Sequence, residues 1–152
     1  MNLREIDFFH GAALTRIVES KNFTALNKCD DKYGHYVLNH NVRLLVKYSS
    51  ADDGPWQFTF APDDLRVLAE DFAITNQQSF VCLVCGRTSI CLLSKAEVLE
   101  LMDVNLAEQQ GLRVECPPNS SMRVYKGDKA LKHAVPHNAF PEKLFSREGV
   151  SV

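Results

Sequence analysis

Along residues 3 to 19 the apolar positions Leu3, Ile6, Phe9, Ala13 and Ile17 recur at helical spacing. That spacing predicts an amphipathic first helix, with Gly11 in its middle at a cost of about 1 kcal/mol relative to Ala. A polar stretch, NKCDDKYGH at residues 27 to 35, reads as a loop. YVLN and VRLLVKYS then read as strands separated by the turn-prone Asn39 and Asn41. SSADDGP is a turn by composition, and WQFTF alternates large and polar side chains as a half-buried strand does.

Pro62 fits a first helical position, and Asp63 and Asp64 suit the positive first turn of a helix whose Leu65, Leu68, Ala69 and Phe72 form one stripe. SFVCLVCG is apolar almost throughout, which predicts a strand buried on both faces, and GRTS returns the chain into SICLLS. This hairpin is the expected core. Ser94 followed by Glu97 is a capping box that opens a third helix through Val98, Leu101 and Met102. LRVEC and MRVYK read as strands around the loop PPNSS. Residues 128 to 152 lack sustained periodicity and read as a tail tied down by Phe140, Leu144 and Phe145. Together these elements predict one α/β (α+β) domain over residues 1 to 152, with a mixed, mostly antiparallel central sheet flanked by about three helices.

A chain of 152 residues with 45% hydrophobic content is long enough to bury its own core without staples. Arg4, Glu5 and Asp7 stand where a secretory segment would be basic and then apolar, and no apolar run approaches the roughly 20 residues of a membrane span. A soluble cytoplasmic protein with no membrane partner is the expectation. Five cysteines, an odd number, fit reduced thiols, three of them set among Val, Leu and Ile. The formal net charge of −2 hides an asymmetry. Residues 61 to 110 hold three basic residues against eight acidic ones, whereas residues 111 to 152 hold seven against four. The basic tail is a candidate contact for nucleic acid or an acidic protein.

Cys82 and Cys85 form a C-x-x-C, the pattern of half a zinc knuckle or a redox dithiol. In a strand, positions three apart face opposite sides, about 10 Å from one another, beyond the reach of one tetrahedral ion. If a metal were held, His133 and His137 would supply the other ligands, with Pro136 opposing a single helical turn that presents both. Neither metal nor cofactor is expected. Cys29 with His35 or His40 lacks any local activating group, since Lys28 precedes it and two aspartates follow. No G-x-S-x-G, Walker loop, dinucleotide glycine fingerprint or H-E-x-x-H occurs, which leaves the corresponding enzyme classes without a motif.

The most informative residues are Arg43 and Lys47, two cations four apart in one apolar strand and therefore on one face. With Lys126, Lys129 and Lys132 they would make a phosphate-binding surface on which Tyr48 or Trp56 stacks bases. The order helix, three strands, helix, strand over roughly residues 3 to 90 resembles the core of the PD-(D/E)xK nuclease superfamily. That resemblance implies acids that hold Mg²⁺ and a lysine that orients the attacking water, with Glu19, Asp53 and Lys47 in those roles. The sequence departs from the superfamily pattern where Leu45 stands two before Lys47, and where Gln57 and Thr59 occupy the next strand. Without two close carboxylates Mg²⁺ stays hydrated, so a binding-only relative is the version expected. The leading expectation is a non-enzymatic accessory protein that binds a macromolecule, nucleic acid first. A protein-interaction or inhibitor-type module and a divergent metal-dependent nuclease are the alternatives.

Overall fold

The computed structural model describes residues 1–146 and shows an α+β domain of four helices and nine strands in two sheets. Helix α1 (Glu5–Val18) is followed by β1 (Leu26–Lys28), β2 (His35–Leu38), β3 (Val42–Ser49) and β4 (Trp56–Phe60). Helix α2 (Pro62–Phe72) leads to β5 (Gln78–Cys85), β6 (Ser89–Ser94) and α3 (Lys95–Leu101). The chain closes with β7 (Gln110–Glu115), β8 (Arg123–Lys126), β9 (Lys129–Ala130), the short α4 (Ala139–Glu142) and a 3₁₀ turn at Lys143–Phe145.

The first sheet has the order β1-β2-β3-β5-β6, and its one parallel pair is β3 with β5, joined through β4 and α2. The second sheet has the order β4-β7-β8-β9 and is antiparallel throughout. The expected single central sheet is thus divided. The turn at residues 50–55 carries the chain away from β3, and β4 pairs with β7 in the register Trp56↔Val114, Phe58↔Leu112. Trp56, Phe58 and Phe60 alternate with exposed Gln57 and Thr59, so one face of β4 enters the core.

Strand β5 is buried on both faces, as its unbroken apolar run requires. On one side Cys82 and Val84 join Leu44, Val46, Ala13 and Ile17 beneath α1. On the other, Leu83 and Cys85 join Leu45, Phe58, Phe60, Leu65, Leu68 and Leu112, the cluster shared by α2, α3 and the second sheet. Burying each such Leu or Phe contributes about 1.5–3 kcal/mol, so this double burial makes β5 the keel of the domain. Ser94 caps α3 as predicted, accepting from the Glu97 amide while Glu97 accepts from the Ser94 amide. Of the C-terminal stretch, Phe140 and Leu144 are buried under the first sheet with Phe145 packed beside them. Residues 147–152 of the expected tail lie outside the described residues. Among the described residues no helix is long and apolar enough to cross a membrane.

Candidate functional site

Because side chains alternate along β3, Arg43, Leu45 and Lys47 face α2 while Val42, Leu44 and Val46 face α1. The two cations do share a face, but that face is covered. Lys47 Nζ donates to Asp64 Oδ2 at 2.9 Å and lies 5.2 Å from the centroid of the Phe60 ring. Arg43 approaches Asp71 at 3.6 Å and donates to Gln77 Oε1 and to the Cys29 sulfur. Lys32 bridges Asp63 and Asp64, each at 2.8 Å. Burial disfavours the Asp64 carboxylate, yet hydrogen bonds from Lys32, Lys47 and the Ala61 amide outweigh it and hold its pKa below the usual range. Asp64 is also the residue that caps the start of α2, since Ala61 has no side-chain acceptor of its own.

His35 completes this layer, with Nε2 2.8 Å from Asp71 Oδ2 and Nδ1 3.2 Å from Asp30 Oδ1. Carboxylates only accept, so both contacts are hydrogen bonds when the ring carries two protons. Burial opposes that charge, but the bonds and charges of Asp71 and Asp30 prevail and raise the pKa. The arrangement is a cross-brace between the first sheet and α2. It leaves Arg43 and Lys47 without free charge to offer a phosphate track, a correction to the surface expected from β3.

The remaining expected contacts are also placed differently. Trp56 is 2% exposed and donates its indole N–H to the Ala51 carbonyl, so it packs in the core and offers no face to a base. Tyr48 stacks on Phe9 at 5.2 Å and donates to Glu5. Lys126 donates to Gln110, while Lys129 and Lys132 are exposed on and just beyond the edge strand of the second sheet, away from β3. Glu19 ends α1, on the opposite side of the first sheet from Lys47, and Asp53 sits in the β3–β4 turn beside Trp56 and Cys116. These three do not form one constellation. Cys82 and Cys85 belong to the two different core clusters, and burial pushes both thiols up in pKa. His133 is exposed, and among the described residues no three His, Cys, Asp or Glu side chains are grouped to hold a metal ion.

What sequence reading missed lies on the α1 side of the molecule. Arg16 of α1 and Arg87 of the β5–β6 turn line one cleft of about 430 Å³, together with Ala12, Thr88, Ser89 and His137. The side chain of neither arginine makes an ion pair or hydrogen bond among the described residues. Arg87 and Ala12 continue into a neighbouring cavity lined by Phe8, Phe9, Glu5 and Asp52. Phe8 is 62% exposed, and Leu3 and Val18 are exposed nearby in sequence. Helix α1 buries His10, Ala13 and Ile17, and its exposed positions mix apolar Phe8, Ala12 and Val18 with polar Glu5, Thr15 and Arg16. The 3.6-residue spacing signalled the inner stripe from Ile6 to Ile17, whereas Leu3, placed on it by the same spacing, precedes α1 and is exposed. Phe8 and Val18, both off that stripe, were the trace of the outer face, and nothing local in GRTS marked Arg87.

The backbone fixes this cleft closely. Gly86 opens the β5–β6 turn at φ +53°, and a Cβ there would meet the Ala51 carbonyl oxygen at 2.2 Å and the Trp56 indole nitrogen at 3.2 Å. Arg87 is therefore held on a turn that is wedged against the β3–β4 loop. No family model matches the chain, and no curated protein or solved structure matches it.

Proposed function

We propose that the protein is a non-enzymatic interaction module that takes an acidic, apolar-bearing segment of a protein partner in the cleft between α1 and the β5–β6 turn. The observation that carries this reading is the pair Arg16 and Arg87, both unpaired among the described residues, facing one cleft beside the exposed Phe8. Guanidinium groups recognise carboxylates through two parallel N–H donors, and an aromatic at the rim adds apolar area that stays wet until a partner covers it. Six other described cations, Arg4, Lys32, Arg43, Lys47, Arg66 and Arg113, are already engaged by carboxylates.

The charge around the cleft favours a protein segment over a nucleic acid. Glu5 and Asp52 line the cavity on one side of it, and Glu19 and Glu142, with Lys21 among them, line the cavity on the other. A continuous phosphate backbone leaving the two arginines would run over those carboxylates, whereas a single Asp or Glu between apolar side chains would not. A displayed library of random dodecapeptides, selected on the wild-type protein and counter-selected on an Arg16→Glu/Arg87→Glu variant, tests the reading. Enrichment of Asp or Glu next to Leu, Phe or Trp supports it. Failure to enrich such sequences, or salt-dependent binding of a twelve-nucleotide strand to the same two arginines, overturns it in favour of no partner or a nucleic acid.

A further inference from the structure

Three chain segments far apart in sequence bring Ser89, Cys116 and His137 together where the two sheets meet. Ser89 opens β6 in the first sheet, Cys116 follows β7 in the second, and His137 precedes α4. His137 Nε2 is 2.9 Å from the Ser120 carbonyl oxygen and 3.6 Å from Cys116 Sγ, while Nδ1 is 2.6 Å from Ser89 Oγ. A carbonyl only accepts, so Nε2 carries the proton, and in the neutral ring Nδ1 accepts from the Ser89 hydroxyl. The tautomer is fixed by its neighbours. The consequence is an N–H that reaches the sulfur of Cys116 as well as the carbonyl beside it.

We propose that Cys116 is a peroxide-reactive thiol and that His137, held by Ser89, is its positioning and hydrogen-bonding partner. The sulfur attacks one oxygen of hydrogen peroxide, an S–O bond forms and the O–O bond breaks. The departing hydroxide takes a proton to leave as water, so Cys–SH and H₂O₂ give Cys–SOH and H₂O. Sulfur is oxidised by two electrons and the peroxide is reduced by two. The proton that hydroxide takes up is the one the thiol gives up, and the imidazole N–H hydrogen-bonds the anionic sulfur before attack, since hydrogen bonds to charged groups are stronger than those between neutral ones.

Among the described residues, none of the other four cysteines has a histidine held by a serine beside its sulfur. Cys82, Cys85 and Cys91 are fully buried, and burial pushes their thiols up in pKa. Cys29 is half-buried and accepts from Arg43 at 3.4 Å, but burial outweighs that guanidinium and, with Asp71 and Asp30, raises the thiol. Cys116 lines a cavity of about 490 Å³ with Trp56, Thr88 and Pro117, large enough for a peroxide molecule. Two carboxylates share that cavity, and one of them, Glu115, is engaged by Arg113 at 2.9 Å, with exposed Asp53 as the other.

The experiment treats the reduced full-length protein with hydrogen peroxide, traps sulfenic acid with dimedone and maps the adduct by mass spectrometry. One adduct is expected, at Cys116, absent from Cys116→Ser and retained in Cys29→Ser. His137→Ala should slow adduct formation roughly ten- to a hundredfold. If His137→Ala unfolds, His137→Gln serves instead, with Ser89→Ala as a milder variant expected to slow the reaction less; near-ultraviolet circular dichroism confirms the fold of each. Labelling that falls first on Cys29, or that proceeds at the wild-type rate in a folded His137 variant, overturns the proposal.

Discussion

His35 Nε2 lies 2.8 Å from Asp71 Oδ2, and both side chains are only 4% exposed, so a charged hydrogen bond joins β2 to the far end of α2. At the near end of the same helix Lys47 bonds Asp64. The two contacts fix α2 on the first sheet at both of its ends, and the first of them makes stability depend on pH.

His35 is protonated more readily in the fold than in the unfolded chain, whereas His10, buried between Tyr33 and Tyr48, is held down to about 4 by burial and then by the charge of Lys47. The raised group stabilises below pH 6.5 and loses that contribution as pH rises through its folded value. The depressed group leaves the fold unaffected above pH 6.5 and destabilises it as pH falls toward 4, by up to about 3 kcal/mol. Urea midpoints from pH 4.5 to 8.5 should therefore pass through a maximum. His10→Phe should flatten the acid limb and His35→Asn the alkaline one. A profile unchanged by both substitutions contradicts these environments.

Asp64 accepts from Lys32, Lys47 and the Ala61 amide, so its removal leaves Lys47 and the Ala61 amide without this acceptor and Lys32 with Asp63 alone. Asp64→Ala should destabilise by about 2–4 kcal/mol and Lys47→Met by about 1–2 kcal/mol. Denaturant titration of the single and double variants gives the coupling, expected at 0.5 kcal/mol or more. Strict additivity would mean that the contact does not persist in solution.

Gly86→Ala places a methyl group against the Ala51 carbonyl at a positive φ. A loss of at least about 2 kcal/mol follows. The sole tryptophan reports it, because Trp56 is buried and bonded to Ala51 in the native protein. Its emission should be blue-shifted in the wild type and move to the red in the variant. Wild-type emission and stability in Gly86→Ala would show that the turn is not wedged.

Ser94→Ala removes the side-chain acceptor at the start of α3 and should lower stability by about 1 kcal/mol, with Ser94→Asp close to neutral. Thermal melts of the two variants distinguish the cap from an incidental contact, for which both would behave alike.

Local signals were the ones legible in the sequence. The Ser94/Glu97 box, Pro62 with its two aspartates, the apolar run of β5 and the alternation in WQFTF each describe a physical constraint within a few residues, and each element is present. Pairing across distance was not legible. Whether WQFTF adds to β3 or leaves for another strand depends on the path of residues 50–55, and its alternation is satisfied by either. The same limit governed the site. Arg43 and Lys47 were read as free because Asp64 had been assigned only to the positive first turn of its helix and Asp71 carried no local signal. A charge that is paired through the fold looks, in sequence, like a charge that is available. Arg87 carried no signal, since its meaning arises only where the β5–β6 turn meets α1.

The most direct measurement is a charge swap on the cleft. A selected acidic peptide, labelled with fluorescein, is titrated by fluorescence anisotropy against the wild type, Arg87→Glu and Lys129→Glu/Lys132→Glu, and the titrations are repeated with the peptide's Glu changed to Lys. Arg87→Glu should weaken binding of the acidic peptide at least tenfold and restore binding of the Lys peptide, with the Lys129/Lys132 variant unaffected. Equal affinity of the acidic peptide for the wild type and Arg87→Glu, or loss only in the Lys129/Lys132 variant, would contradict the assignment of the cleft.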